Sequence, residues 1–262
     1  MSERFEAFII PYWLNPRARL RILCFPFAGG GASAFNGWMD RLPDQVRVQT
    51  ELLAIQLPGR ESRLNEQTFI HLLPLLDALV PIIGRYSDTP FAFVGHSMGA
   101  LISFELARHL RRQKQKGPSH IVVSGHRAPQ LPDRQPAIHR LPDVEFSAKL
   151  REFGGTPEAV LQDPELMELL LPVLRADFSL CETYVYSDEE PLNCSITAWG
   201  GNDDGRASRA ELLAWGTQSK SLFSLHMFPG SHFFIQSARA AVLQVLAHDL
   251  KLALRRLTIA GC

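Results

Sequence analysis

The sequence predicts an α/β fold in which a mostly parallel β-sheet carries helices on both faces, and three observations support this fold class. First, short apolar segments rich in strand-forming residues alternate with longer segments of helical periodicity. Second, the strand segments are continuously apolar rather than alternating, as expected of strands that are buried on both faces. Third, the 262 residues are 46% hydrophobic and 21% charged, which excludes a disordered or collagen-like chain.

Six strands and five helices are predicted by these patterns, and each segment is justified by its length and periodicity. Strands are predicted at residues 21–25, 48–57, 91–94, 120–124, 195–199 and 222–228. Helices are predicted at residues 33–42, 69–85, 98–114, 208–219 and 238–255. Strict alternation of the two element types favours a doubly covered sheet over separate α and β regions.

The alternation is interrupted once, between residues 128 and 190, where no strand pattern occurs. This stretch opens with four prolines and continues with helical periodicity at 144–153 and 164–186. A plain crossover connection needs only about a dozen residues or somewhat more, so we favour an inserted helical lid at 128–190. The core then comprises residues 1–127 and 191–262. We expect most apolar side chains of the lid, such as Leu150, Phe153, Leu166 and Phe178, to pack against the sheet, and some to line a substrate chamber.

Charge and composition exclude several classes of partner. The 27 basic residues balance the 27 acidic ones, which gives no electrostatic basis for binding nucleic acid or an anionic membrane. No apolar run reaches the roughly 18 residues that span a bilayer, and the N-terminal stretch does not have the pattern of a signal peptide. The four cysteines (Cys24, Cys181, Cys194 and Cys262) form no CxxC pair, so we expect free thiols. We therefore expect a cytoplasmic protein, and a monomer.

The strongest chemical motif is Gly-x-Ser-x-Gly at residues 95–99, which places Ser97 between a predicted strand and a predicted helix. A strand–turn–helix around this pentapeptide is the nucleophile elbow, in which the serine Oγ is exposed above the sheet. The alternative is a glycine-rich turn with a serine that caps the helix. Because both flanking elements are predicted independently, we favour the elbow, and with it an α/β-hydrolase fold.

A serine nucleophile needs a general base and an acid to orient it, and both follow in the order that this fold requires. Asp203 and Asp204 come directly after the strand at 195–199, and His232 follows the last predicted strand. Each residue alone fits an ordinary turn or a solvated loop. Their order after separate strands favours a triad of Ser97, an acid and His232. Asp204 is preferred as the acid because it is the last residue of a Gly-x-x-Asp turn, with Asp203 as the alternative.

An oxyanion hole is expected from the N–H of Met98, which follows the nucleophile, and from an early loop. The glycine-rich loop at 25–31 fits that position, with Ala28 or Phe27 as donor. A phosphate-binding loop is disfavoured because no Lys-Ser or Lys-Thr follows the glycines. The histidines show no metal-ligand spacing, so we expect neither a metal nor a cofactor.

The motifs taken together resemble a known family. They are Phe-Pro-Phe-Ala-Gly-Gly-Gly at 25–31, Leu-Pro-Gly-Arg-Glu at 57–61, Gly-His-Ser-Met-Gly at 95–99, Phe-Gly-Gly-Thr-Pro at 153–157 and Gly-Ser-His-Phe at 230–233. In this order and spacing they resemble the type II, or external editing, thioesterases of polyketide synthases and nonribosomal peptide synthetases. The medium-chain thioesterases of fatty acid synthase are close relatives. The match runs from about residue 20 to 250.

The resemblance implies hydrolysis of acyl thioesters from the phosphopantetheine arm of acyl- or peptidyl-carrier proteins, with Ser97, Asp204 and His232 as the triad. Two positions depart from the family pattern: Ser231 replaces a common glycine, and Gly205-Arg206 after the acid is unusual. Neither removes a catalytic group. The alternatives are a medium-chain fatty acyl thioesterase or general carboxylesterase on the same fold, and a non-catalytic binding module, which the three candidate residues argue against.

Overall fold

The computed structural model describes residues 8–133 and 136–260, which contain a seven-stranded sheet. The strands are β1 (Ile9–Trp13), β2 (Leu20–Phe25), β3 (Thr50–Ile55), β4 (Phe91–His96), β5 (His120–Ser124), β6 (Ser195–Gly201) and β7 (Phe223–Phe228). Their order across the sheet is β1-β3-β2-β4-β5-β6-β7. All neighbours pair in parallel except β1, which runs antiparallel along β3 at the edge. The mostly parallel sheet predicted from the sequence is therefore confirmed.

Helices cover this sheet on two sides. They are α1 (Asp44–Arg47), α2 (Leu72–Arg85), α3 (Met98–Arg112), α4 (Asp143–Phe153), α5 (Glu158–Leu161), α6 (Pro164–Glu182), α7 (Arg209–Leu213), α8 (Phe234–Ser237) and α9 (Arg239–Ala260). One hydrophobic cluster joins the sheet to α2 and α3, and a second joins its opposite face to α1 and α9. Strands buried between two helical layers explain the continuous hydrophobicity of the sequence. The six parallel strands thus have their carboxyl ends along one edge of the sheet.

The segment between β5 and β6 contains α4, α5 and α6 but no strand in its described residues. A third hydrophobic cluster, which includes Ile138, Phe146, Leu150, Met167 and Phe178, joins these helices to one another. The sequence-based expectation that most apolar side chains here pack against the sheet is therefore wrong. They pack mainly among themselves, because Phe146 and Phe153 of α4 contact Phe178 of α6. Leu166 is exposed.

Several predicted boundaries were wrong for local reasons. The helix predicted at residues 33–42 is two short 3-10 helices, Ala32–Phe35 and Met39–Arg41. Between them Gly37 adopts φ +72°, which an α-helix does not accommodate. The helix predicted at 208–219 is α-helical only as far as Leu213 and continues as a 3-10 helix to Gln218.

Three further observations concern the sequence-based expectations on cysteines and membranes. Cys24, Cys181 and Cys194 are free thiols, whereas Cys262 lies outside the described residues. No helix in residues 8–133 and 136–260 is long and apolar enough to cross a bilayer. Part of the N-terminal stretch analysed for a signal peptide, residues 1–7, also lies outside the described residues.

Candidate active site

Ser97 lies at a sharp turn between β4 and α3. Its φ of +52° is in the left-handed region, a conformation that costs energy for any residue with a side chain. The turn is possible because the flanking glycines lack a Cβ: one at Gly95 would overlap the backbone of Gly99, and one at Gly99 would overlap the carbonyl of Phe25. The Ser97 N–H also donates to the Ser124 carbonyl at 2.7 Å. This geometry is that of a nucleophile elbow.

The loops after β6 and β7 are joined by backbone hydrogen bonds, which places their side chains together. The Asn202 N–H donates to the Phe228 carbonyl at 2.8 Å, and the Asp203 N–H donates to the Gly230 carbonyl at 3.0 Å. Because β6 and β7 are adjacent and parallel, both loops lie at the same edge of the sheet as the end of β4. Residues that are far apart in the chain thus meet at the elbow.

Three of these side chains form a continuous hydrogen-bonded series. His232 Nε2 lies 3.0 Å from Ser97 Oγ, and His232 Nδ1 lies 2.9 Å from Asp204 Oδ2. The Asp204 side chain is fully buried, and its other oxygen accepts from the Arg206 N–H at 2.9 Å. Asp203 is exposed. In this arrangement the imidazole can accept the serine proton while the buried carboxylate fixes its orientation.

A second histidine, His96, lies beside this series. Its ring centroid is 5.2 Å from that of His232, and its Nδ1 lies 2.9 Å from Ser124 Oγ. Burial lowers the pKa of His96 well below its ordinary value, and the positive charge that His232 carries when protonated adds to this effect. His96 is therefore neutral at pH 7 and adds no positive charge next to the nucleophile.

Two residues that line the cavity in front of Ser97 have backbone N–H groups without a partner in the described residues. Ala28 and Met98 line the same cavity as Ser97 and His232. Neither N–H donates a hydrogen bond to any group in the part of the chain that the structure describes. Met98 is the first residue of α3, where the N–H groups carry the positive end of the helix dipole. Both groups can therefore stabilise negative charge that develops on an oxygen in this cavity.

The cavity itself has a volume of about 180 Å³ and lies between the sheet edge and the segment containing α4 and α6. Phe153 and Phe178 contribute apolar wall, while His126, Arg206 and Glu182 contribute polar wall. Burial lowers the pKa of His126 to about 4, so this side chain is neutral at pH 7. The chamber is thus small and of mixed polarity.

Two further residues touch this site and were not predicted from the sequence. Ser124, the last residue of β5, accepts from the Ser97 N–H and contacts His96; the end of a strand next to the elbow strand was the available signal. Arg206 places its guanidinium carbon 4.2 Å from the ring centroid of Phe153. The Gly205-Arg206 pair had stood out only as a departure from the family pattern.

Within residues 8–133 and 136–260, no group of three or more His, Cys, Asp or Glu side chains is placed to hold a metal ion.

Comparisons with known proteins agree on one family. The family model described as thioesterase domain matches residues 20–250. The chain is 46% identical over 241 residues to the gramicidin S biosynthesis protein GrsT of Aneurinibacillus migulanus, covering 92% of this chain and 93% of that protein. RedJ, a thioesterase of the prodiginine pathway in Streptomyces coelicolor, superposes with a TM-score of 0.81 at 36% identity, covering 88% and 86% of the two chains. YbtT, a type II thioesterase of the yersiniabactin pathway, gives 0.82 at 29% identity, covering 95% and 100%. The chain belongs to the thioesterase domain family and is a thioester hydrolase.

Proposed function

We propose that Ser97 is the nucleophile of this thioesterase, His232 its general base and Asp204 the residue that orients the histidine. The supporting observation is the hydrogen-bonded series Ser97–His232–Asp204, of which Ser97 and His232 line the chamber. His232 takes the proton of Ser97 as Oγ attacks the thioester carbonyl, and then donates it to the departing thiolate. In the second half-reaction His232 activates a water molecule, which hydrolyses the acyl-enzyme and releases the acid.

The N–H groups of Ala28 and Met98 form the oxyanion hole in this proposal. Both are free to donate within the described chain, and both border the cavity that holds Ser97 Oγ. Removal of one such donor in other serine hydrolases lowers kcat by about 10²- to 10³-fold. The reaction as proposed needs neither a metal nor a cofactor.

The proposed substrate is an acyl group carried on the phosphopantetheine thiol of an acyl- or peptidyl-carrier protein. The resemblance of five motifs to the type II thioesterases supports this, as does the similarity to YbtT and to a biosynthesis protein of gramicidin S. The chamber of about 180 Å³ fits a short acyl group better than a long fatty chain. In this proposal, residues 128–190 form a lid over a core of residues 1–127 and 191–262, and the chain acts as a monomer.

The test is a panel of acyl groups from two to ten carbons, each offered both on a carrier protein and on free pantetheine. We expect kcat/KM to be at least tenfold higher for the carrier-bound form, because carrier contacts add binding energy. We also expect kcat/KM to fall as the acyl chain lengthens. The same acyl groups as oxygen esters serve as the control. Equal rates on free and carrier-bound thioesters would contradict a carrier substrate, and a maximum at eight to ten carbons would favour a medium-chain fatty acyl thioesterase.

A further inference from the structure

A buried ion pair links α6 to the loop that follows β3. Arg60 Nη1 lies 2.6 Å from Asp177 Oδ2, and Arg60 Nη2 lies 2.8 Å from Asp177 Oδ1. The exposed fractions of the two side chains are only 5% and 3%. Arg60 belongs to the Leu-Pro-Gly-Arg-Glu motif at 57–61, to which the triad assigns no role, and Asp177 is 117 positions further along the chain. A bidentate pair of this kind fixes the distance and the orientation of both elements.

The pair also holds the loop that carries Ala28. Asp177 Oδ2 accepts a hydrogen bond from the Gly29 N–H at 2.7 Å, and Arg60 Nη1 donates to the Gly30 carbonyl at 3.2 Å. A turn closed by the Gly30 N–H and the Phe27 carbonyl, 2.9 Å apart, encloses Ala28. The two charged groups thus bond to the Gly29 N–H and the Gly30 carbonyl, and the Ala28 N–H makes no hydrogen bond within the described chain.

Side-chain packing joins the same two elements. Leu174, which precedes Asp177 by one turn of α6, packs on Gly29, where a Cβ atom would lie 2.5 Å from Leu174 Cδ2. Gly29 has φ +75°, so the loop depends on glycine for both its backbone angle and its contact with α6. One face of α6 therefore supports this loop through an ion pair and a close packing contact.

The core fixes the other side of the pair. Gln56 Nε2 donates to the Arg60 carbonyl at 2.9 Å, and Gln56 Oε1 accepts from the Ala32 N–H at 2.8 Å. The backbone of Arg60 is thus anchored to the end of β3 and to the same glycine-rich loop. Movement of α6 alone would therefore break the bonds from Asp177 to Arg60 and Gly29. The bond between Gln56 and the glycine-rich loop would remain.

We propose that Arg60 and Asp177 are positioning residues for the oxyanion hole, and that the hole is complete only while α6 occupies this position. The proposal rests on the proposed role of the Ala28 N–H. It adds a coupling between the helical segment and the chemistry: if α6 moves to admit a substrate, the Ala28 N–H loses its fixed direction until α6 returns. Hydrolysis then takes place only while α6 is in the position seen here, with Asp177 bonded to Arg60 and Gly29.

The test compares variants that break or replace the pair. Asp177→Asn keeps the shape of the side chain and removes its charge. Arg60→Met combined with Asp177→Leu replaces the pair with apolar groups, an exchange that proteins often tolerate. Glu51→Gln is the matched control, because Glu51 pairs with Arg21 at 2.6 Å at the start of β2 and β3, away from the site. Thermal unfolding of each variant serves to check that the variant is folded.

Two kinetic readouts separate positioning from a purely structural role. For both test variants we expect kcat to fall roughly 10- to 100-fold with KM within about threefold, because a donor displaced by about 1 Å loses most of its effect. In an acyl trifluoromethyl ketone, Ser97 Oγ adds to the carbonyl carbon and the resulting oxyanion occupies the hole. We expect this inhibitor to bind the test variants more weakly than the wild type by the same factor. An analogue with a methylene group in place of the ketone carbonyl cannot react with Ser97, and we expect both test variants to bind it as tightly as the wild type does. We expect Glu51→Gln to behave as the wild type in both measurements.

Several outcomes would overturn the proposal. A folded Asp177→Asn variant with wild-type kcat would do so, as would a loss of kcat without weaker binding of the trifluoromethyl ketone. Equal losses for the Glu51→Gln control would show a general effect of removing ion pairs. The comparison can be run on any thioester or ester that the wild type hydrolyses, so a failure of the carrier-substrate proposal would be seen separately.

Discussion

At the scale of single residues, the site depends on which of two adjacent carboxylates faces His232. Asp204 is buried and bonded to His232 Nδ1, whereas Asp203 is exposed and engaged through its backbone to Gly230. The loop bond at Asp203 turns its side chain outward and the next one inward. The order serine, acid and histidine allowed the acid to be narrowed to two positions. The Gly-x-x-Asp turn at 201–204 already favoured Asp204 in the sequence, and the hydrogen bond between Asp204 and His232 agrees with that preference.

We therefore expect Asp204→Asn to lower kcat by roughly 10³- to 10⁴-fold, because the amide favours the wrong tautomer of His232. Asp203→Asn, the matched control, is expected to keep kcat within about twofold. The measurement is steady-state thioester hydrolysis by both variants at pH 7.5. The reverse ranking would make Asp203 the acid.

The ion pair between Arg60 and Asp177 shows the limit of sequence analysis at this scale. Both residues stand in segments that could be assigned from the sequence, Arg60 after a strand and Asp177 in a helix. Their contact depends on how α6 lies on the loop after β3, and no local periodicity encodes that placement. The three residues of the proposed triad could be brought together from the sequence because parallel strands deliver their carboxyl ends to one edge.

At the scale of elements, the strands were predicted better than the short helices. Buried parallel strands have a strong apolar signal, whereas the segment at 33–42 has apolar spacing that suits two 3-10 helices as well as one α-helix. The strand β1 (Ile9–Trp13) was not predicted; it is an edge strand that contains Pro11 and is only partly buried. Proline is tolerated at such an edge, but it weakens the strand pattern.

The packing of α3 against β2 gives a prediction at this scale. In Gly99→Ala the new Cβ would overlap the Phe25 carbonyl, whereas in Gly117→Ala nothing described lies within 4 Å. We expect Gly99→Ala to lower the free energy of unfolding by about 2–3 kcal/mol, despite the higher helix propensity of alanine. Gly117→Ala is expected to change it by less than about 0.5 kcal/mol. Urea unfolding of both variants measures this, and equal effects would mean that the close approach at Gly99 has no cost.

At the scale of the whole molecule, stability is expected to depend on pH through buried histidines. Burial lowers the pKa of His120 to about 4 from the 6.5 of the unfolded chain, and the charge of Arg256 adds to this effect. The unfolded state therefore binds the proton more readily than the folded state. The resulting stability is fully present above pH 6.5 and is lost as the pH falls towards 4.

His120→Gln removes this titration and retains a group that can bond Thr197, which lies 3.1 Å from His120 Nε2. The free energy of unfolding of the wild type, relative to the variant, is expected to fall by up to roughly 1.4 kcal/mol per pH unit between pH 6.5 and 4. Urea unfolding at several pH values measures the difference. Parallel pH profiles for the two proteins would show that His120 is not the group responsible.

The whole account depends on Ser97 as the nucleophile for carrier-bound thioesters. The most direct measurement follows the intact mass of an acyl-carrier protein incubated with the wild type or with Ser97→Ala. Because Ser97 Oγ contacts His232 and lies at a turn set by backbone and glycines, the substitution is expected to leave the thermal unfolding midpoint nearly unchanged. We expect the wild type to convert the carrier to its free-thiol mass. With the variant, we expect the acyl group to be lost only at the uncatalysed rate. Full turnover by folded Ser97→Ala would contradict the account.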